Sequence, residues 1–220
     1  VRGFNSADTS LNVLTHMRFH YMVHIRMSCH LRREEMSKYT KTRIMDAFLY
    51  LLNEKSMDRL TVKDVIETAE VNRNTFYYHF EDIYDLLHQV LKRKLDDFSN
   101  DTEKYDTFYE EYVRSAKFLM NNKKAMAHIY HSKDRELLQM YMERITFIFV
   151  ERFVREAAES YDISEEGIDY LTEFYSYTIV GNTMHWIQEG MPPYRERYLY
   201  LVSKSFEDSI DDMIRSYLHS

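Results

Sequence analysis

The stretch that decides the fold runs from Thr61 to Phe80, with the sequence TVKDVIETAEVNRNTFYYHF. Thr61 can cap a first helix, and Asp64 in the first turn suits the helix dipole. Apolar residues then recur at helical spacing, at Val62, Val65, Ile66 and Ala69. This pattern predicts a short helix with one face on a core.

A second short helix is predicted after a turn at Glu70, Val71 and Asn72, with Asn72 as its cap. Phe76 and Phe80 stand four residues apart and can anchor it. The other side chains can form hydrogen bonds: Arg73, Asn74, Thr75, Tyr77, Tyr78 and His79. Such a helix suits base edges and phosphates in a major groove, so the stretch predicts a helix-turn-helix.

The run TVKDVIETAEVNRNTFYYHFEDIYDLL resembles the DNA-binding signature of the TetR family of bacterial regulators, T-V-x-D-I-x-x-x-A-x-V-x-x-x-T-F-Y-x-H-F. Two positions depart from the family pattern. Glu70 stands where the family usually has a turn glycine, so its left-handed residue would carry side-chain strain. Ile83 replaces a lysine that contacts phosphate in the family, so that contact is not expected here.

We expect the chain to bind double-stranded DNA, with Arg73 suited to guanine and Asn74 to adenine. Residues 37 to 83 hold seven Lys or Arg and eight Asp or Glu, so binding would depend on locally placed cations. Lys63 and Thr61 are the expected phosphate anchors. The predicted DNA-binding residues are Lys41, Arg43, Thr61, Lys63, Asn72, Arg73, Asn74, Thr75, Tyr77, Tyr78 and His79.

The composition predicts an all-α protein, because four glycines and two prolines in 220 residues leave few helix breakers. We expect a three-helix helix-turn-helix domain over residues 37–83 and a helical bundle for ligand binding and dimerisation over residues 84–220. Helix one is predicted from Thr40 to Asn53. Residues 1–36 lack an apolar stripe and are interpreted as a flexible or non-native extension, with Met36 as a possible start.

The location expected for the protein is the cytoplasm. Cys29 is the one cysteine, which excludes an internal disulfide and is compatible with a reducing compartment. No apolar run approaches the roughly 18 residues of a membrane span.

Further amphipathic segments fill the second half, including long helices from Arg135 to Ala158 and from Ser164 towards Gly190, and a last helix opened by Pro192-Pro193. The last two helices resemble the family's dimerisation pair, which implies a homodimer on a palindromic operator. Alternatively, their apolar stripes complete the monomer core. The residues expected at the dimer contact are Ile179, Trp186, Leu199, Val202, Phe206 and Ile210.

The segment FYSYTIVGNTMHWIQEGMPP is similar to a subgroup that includes regulators of dihydroxyacetone kinase genes. Family members commonly sense a small molecule in this domain. Aromatic and Met residues that could line such a cavity, or could equally be core, are Tyr112, Met126, Tyr130, Tyr141, Tyr175 and Trp186. Control by a protein partner is the alternative.

No cofactor or metal is expected. His128, His131 and Asp134 are close enough in sequence to be considered as metal ligands, but this spacing is common on helix surfaces. No Walker loop, Rossmann fingerprint or hydrolase motif occurs, so we expect a regulator; an enzyme of unmarked mechanism is the remote alternative.

Overall fold

The computed structural model describes residues 35–101, 105–193 and 197–219, and within these ranges the regular elements are all helices. The expected all-α fold is confirmed. A short 3-10 turn, Met57–Arg59, follows the first helix. The α-helices are α1 (35–54), α2 (Val62–Thr68), α3 (Arg73–His79), α4 (Ile83–Asn100), α5 (Phe108–Asn121), α6 (Lys123–Tyr130), α7 (Arg135–Ala158), α8 (Glu165–Gln188) and α9 (Arg197–Leu218).

The chain divides into two compact units, Val1–Ile44 and Met45–Ser220. The described part of the first unit is the first half of α1, which begins five residues before the predicted Thr40. Thr40 lies inside the helix, and its hydroxyl donates to the Met36 carbonyl, 2.8 Å away and four residues back. The expected extension, residues 1–36, lies outside the described residues except for positions 35 and 36, which are helical.

In the second unit, α7 is the central helix of the body. It packs against α4, α5, α6, α8 and α9, and its contact with α8 is the most extensive. Aromatic rings fill the space around its C-terminal half. Phe108 of α5 stacks on Phe206 of α9 at 4.0 Å between ring centroids, and Phe149 and Phe153 of α7 meet Phe108 edge-on. These aromatic contacts join three helices into one core.

A buried carboxylate also fastens α5 to α7. The Glu111 side chain is 3% exposed and lies between Arg114 of its own helix and Arg152 of α7. Arg114 Nε donates to Glu111 Oε1 at 2.7 Å, and Arg152 Nη2 donates to Oε2 at 2.9 Å. Both carboxylate oxygens are therefore satisfied by charged donors, as a buried charge requires.

The helix ends follow the sequence signals closely. α7 has the predicted bounds, and α8 begins after Ser164, whose hydroxyl accepts from the Gly167 amide at 3.2 Å. The last helix is described from Arg197. Its predicted start at Pro192-Pro193 adjoins residues 194–196, which lie outside the described residues. Among the described helices, none combines the length and apolar character needed to cross a membrane.

Candidate nucleic-acid interface

The first helix of the helix-turn-helix is held at its start by a capping box. Thr61 Oγ1 accepts from the Asp64 amide at 3.2 Å, and Asp64 Oδ2 accepts from the Thr61 amide at 2.9 Å. Lys55 Nζ lies 2.8 Å from the other Asp64 carboxylate oxygen. The hydrogen bonds from Lys55 and then from Thr61 lower the Asp64 pKa to about 2. This end of α2 is therefore fixed to the loop that precedes it.

The turn between α2 and α3 has the hydrogen bonds of a Schellman motif. The Val71 amide donates to the Ile66 carbonyl at 3.0 Å, and the Glu70 amide donates to the Glu67 carbonyl at 3.3 Å. Glu70 occupies the left-handed position with a φ of 50°. The same motif ends α8, where Gly190 takes the left-handed position. The left-handed residue expected at Glu70 is confirmed, and it is not a glycine.

The second helix of the motif, α3, is capped and anchored. Asn72 Oδ1 accepts from the Thr75 amide at 2.8 Å and from the Thr75 hydroxyl at 3.1 Å. Phe76 and Phe80 are buried, with ring centroids 5.7 Å apart. The two rings fix one face of the helix to the core, so the opposite face is directed to solvent.

Four of the predicted DNA contacts form the outward face of α3, as two pairs spaced by four residues. Arg73 and Tyr77 make one pair, joined by a 3.3 Å hydrogen bond from Arg73 Nη2 to the Tyr77 hydroxyl. Asn74 and Tyr78 make the other, and the Tyr78 ring is 76% exposed. His79 is half-buried, with its ring edge-on to Tyr78 at 4.9 Å.

Two more predicted contacts lie on α2, where Thr61 and Lys63 are exposed. Lys63 Nζ is 3.7 Å from Glu67, at a position open to solvent. Lys41 and Arg43 belong to the other compact unit, and both are half-buried. Ile83, at the position where the resemblance leads one to expect a lysine, is a buried first residue of α4.

A joint between α1 and α6 was not anticipated from the sequence. Asn53 Oδ1 accepts from the Ala125 amide at 3.3 Å, one of the amides at the start of α6 that lack a partner within the helix. Asn53 Nδ2 donates to Asn122 Oδ1 at 3.2 Å. His128 Nδ1 lies 2.6 Å from the Leu52 carbonyl oxygen, so Nδ1 carries the hydrogen. These polar contacts connect the helix that precedes the helix-turn-helix to the body.

The metal site considered at His128, His131 and Asp134 does not form. His128 is occupied by the Leu52 carbonyl, and His131 packs edge-on to Tyr130 at 5.2 Å. Within the described ranges, no group of three or more His, Cys, Asp or Glu side chains is placed to hold a metal ion.

The six residues considered for ligand binding are all buried, and two cavities between described helices are lined by only three of them. A cavity of about 170 Å³ is lined by Tyr112 and Trp186. A larger one of about 290 Å³ is lined by Tyr141. Met126, Tyr130 and Tyr175 line neither of these two cavities.

The buried hydroxyls in this set have defined partners on other helices. The Tyr112 hydroxyl lies 3.0 Å from Thr183 Oγ1, and burial raises the Tyr112 pKa to about 12. The Tyr175 hydroxyl lies 2.8 Å from Ser209 Oγ. Both tyrosines therefore contribute to the packing of the bundle, which is the alternative that the sequence left open.

Five of the six residues expected at a dimer contact are buried within the single chain, and Val202 is half-buried. Ile179, Trp186, Leu199, Phe206 and Ile210 face the body core. A partner subunit cannot reach side chains that the chain itself covers. A dimer through α8 and α9 would have to use their opposite, exposed faces.

Two family models match the chain. Residues 44–90 match a model described as bacterial regulatory proteins, tetR family, and residues 106–208 match one described as transcriptional regulator C-terminal region. The HTH-type dhaKLM operon transcriptional activator DhaS of Lactococcus lactis subsp. lactis (strain IL1403) is 26% identical over 96 residues, covering 44% of this chain and 51% of that protein. The chain thus aligns with about half the length of this curated relative.

A solved structure, titled dihydroxyacetone kinase operon activator DhaS, has the same fold with a TM-score of 0.58. The match covers 81% of this chain and 95% of that one at 18% identity. The structural comparison therefore shows a shared fold over most of both chains.

Proposed function

Since the chain belongs to the TetR family of bacterial transcriptional regulators, we propose that it binds a palindromic operator as a homodimer in the cytoplasm and responds to a small molecule in its body. The observation that carries the proposal is the outward face of α3. Arg73, Asn74, Tyr77 and Tyr78 project from a short helix that Phe76 and Phe80 anchor.

Each exposed side chain has a role that its chemistry suits. Arg73 offers a forked donor for guanine, and Asn74 offers a donor and an acceptor for adenine. Tyr77 and Tyr78 would divide between base and phosphate contacts. Lys63, exposed on α2, would neutralise a phosphate. Thr75 and Asn72 would mainly hold the N-terminus of α3 in place, because their side chains bond to each other.

The proposed dimer face is the exposed stripe of α8 formed by Tyr170, Phe174, Tyr177 and Gly181. These residues are spaced by four, three and four, which keeps them on one side of a helix. A Cβ added at Gly181 would meet no atom within 4 Å, so the chain itself gives no packing reason for glycine in the middle of this helix. Close approach of the α8 helix of a second subunit would explain why a glycine is needed there.

Control by a small molecule would act through the contacts that join the helix-turn-helix to the body. The α1–α6 joint at Asn53 and His128 is one such contact. Lys133, just after α6, lies 3.8 Å from the ring centroid of Tyr84 near the start of α4. An effector would need unequal affinity for two settings of these contacts.

The experiment that tests the proposal is selection of bound sequences from a random duplex pool by the full chain, at two salt concentrations. We expect a palindrome with half-sites one or two helical turns apart, enriched at low salt and lost at high salt. Because DhaS is named as an operon activator, a reporter fused to the selected operator is expected to rise when the chain is expressed.

A matched pair of variants separates a contact with a base from a contact with a phosphate. Arg73→Ala should relax the preference at one position of each half-site, whereas Lys63→Ala should weaken all sequences alike and reduce the salt slope by about one. If Arg73→Ala changed neither affinity nor preference, α3 would not be the recognition helix.

A further inference from the structure

The cavity of about 290 Å³ described above is a groove between α4 and α7, which we call the α4–α7 groove. Its volume is about 290 Å³, close to the lower end of small-molecule sites. Four residues of each helix line it: His88, Leu91, Lys92 and Leu95 of α4, and Leu137, Met140, Tyr141 and Arg144 of α7.

The rim of the α4–α7 groove is cationic in an acidic protein. Lys92 and Arg144 are exposed, and neither forms an ion pair with a carboxylate among the described residues. The whole chain carries a net charge of -7, so a cationic rim has the opposite sign to the protein as a whole. Two unpaired cations at one groove therefore mark a place where an anionic group is favoured.

The wall of the groove contains the phenol of Tyr141. The residue is 5% exposed, and its hydroxyl has no hydrogen-bond partner among the described residues. Burial, with the nearby Asp97 charge, raises the Tyr141 pKa, so the hydroxyl is protonated and can donate. Asp97 itself is paired with Lys94 at 3.4 Å. A ligand acceptor in the groove would give this hydroxyl a hydrogen bond that no described residue supplies.

We propose that the α4–α7 groove binds a small amphipathic carboxylate. The carboxylate would lie between Lys92 and Arg144, whose guanidinium fork matches its two oxygens. The apolar part of the ligand would cover Leu91, Leu95 and Leu137. The Tyr141 hydroxyl would donate to a ligand oxygen.

The position of the groove gives the ligand a mechanical effect. Three residues separate the end of α3 at His79 from the start of α4 at Ile83, and α4 packs along α7. A ligand that binds more tightly to one of two positions of α4 against α7 would shift α3 relative to the body. This consequence rests on the proposed function, since it requires that α3 binds DNA.

The first test is a calorimetric titration of the full chain with octanoate. 1-Octanol and acetate serve as controls, because each carries only half of the proposed chemistry. We expect octanoate to bind at least about tenfold more tightly than either control, as a charge-assisted contact and an apolar body together require. Absence of octanoate binding, or equal binding of 1-octanol, would overturn the proposal.

The second test changes two exposed cations and removes a single hydroxyl, so that the variants keep their fold. Lys92→Gln with Arg144→Gln should weaken octanoate binding about tenfold or more, and Tyr141→Phe should weaken it by a smaller factor. Lys117→Gln changes an exposed lysine of α5 outside the groove and should leave binding unchanged. Equal binding by the double variant and by the wild-type chain would refute the assignment.

Operator binding with and without octanoate separates the two proposals. A chain that binds an operator but not octanoate would refute the groove alone. A chain that binds octanoate as described but enriches no DNA sequence would refute the proposed DNA binding and leave the groove assignment supported.

Discussion

Replacing Glu70 by glycine should stabilise the protein. Glu70 has a φ of 50°, and an L-residue in this left-handed region costs about 1–2 kcal/mol. Glycine avoids that cost but loses about 0.5–1 kcal/mol more backbone entropy on folding. The expected net gain in the free energy of unfolding is about 0.5–1 kcal/mol, or roughly 1–4 °C in melting temperature for a unit of this size.

The assay is thermal and urea unfolding followed by far-ultraviolet circular dichroism, with Glu70→Ala as the control. Alanine removes the carboxylate and any contact it makes but keeps the Cβ and the strain. Glu70→Gly should therefore be more stable than Glu70→Ala. Both variants should bind operator DNA more tightly than the wild-type chain, because both remove a negative charge near α3. Equal stability of the two variants would contradict the strain assigned to this turn.

Three further outcomes are expected. Thr172→Val should stabilise the body by about 1 kcal/mol, since the buried Thr172 hydroxyl has no hydrogen-bond partner among the described residues. Thr183→Val, also on α8, removes the partner of the buried Tyr112 hydroxyl on α5 and should destabilise the body by a similar amount in the same urea titration. Gly181→Leu should weaken the dimer at least about tenfold in sedimentation equilibrium. It should not lower the stability of the monomer, because the added side chain meets open space in the single chain. An unchanged dimer would exclude the exposed stripe of α8 as the dimer face. Asp64 has a folded pKa of about 2 against an ordinary 3.8, so its stabilisation is present above pH 3.8 and lost as the pH falls towards 2; Asp64→Asn should flatten the acid limb of the stability curve over that window.

Local signals in the sequence predicted the helix-turn-helix and the ends of α7 because caps, turns and apolar spacing act over a few residues. The cap at Asn72, the anchors Phe76 and Phe80, and the left-handed Glu70 all follow from neighbours in the chain. The predicted start of helix one at Thr40 was five residues late. Thr40 lies inside α1, where its hydroxyl bonds back to the Met36 carbonyl.

The apolar stripes of α8 and α9 show what helical spacing does not encode. An apolar stripe must be covered, but the pattern is the same whether the cover is the chain's own core or a second subunit. Ile179 and Phe206 are covered by the chain itself. The exposed stripe carries more tyrosine than leucine or isoleucine, and its polar hydroxyls made it resemble an ordinary solvated face. The three-dimensional packing was needed to distinguish the two faces.

The α4–α7 groove and the α1–α6 joint were also beyond local signals, because each combines residues far apart in the chain. Lys92 and Arg144 are ordinary surface cations in the sequence, and only the packing of α4 on α7 brings them to one cavity. His128 was considered with its sequence neighbours as a metal ligand. Its partner is a backbone carbonyl on α1, which has no signature in the side-chain sequence.

We proposed that effector control passes through the α1–α6 joint, and the composition of this joint predicts which mutations should abolish that control. The Leu52 acceptor belongs to the backbone, so any amino acid at that position supplies it, and a change there instead opens a fully buried core site. Asn53 and His128 contribute through their side chains and are only half-buried. In a genetic selection for chains that still occupy the operator but ignore the inducing signal, surviving alleles should accumulate at codons 53 and 128 and be rare at codon 52.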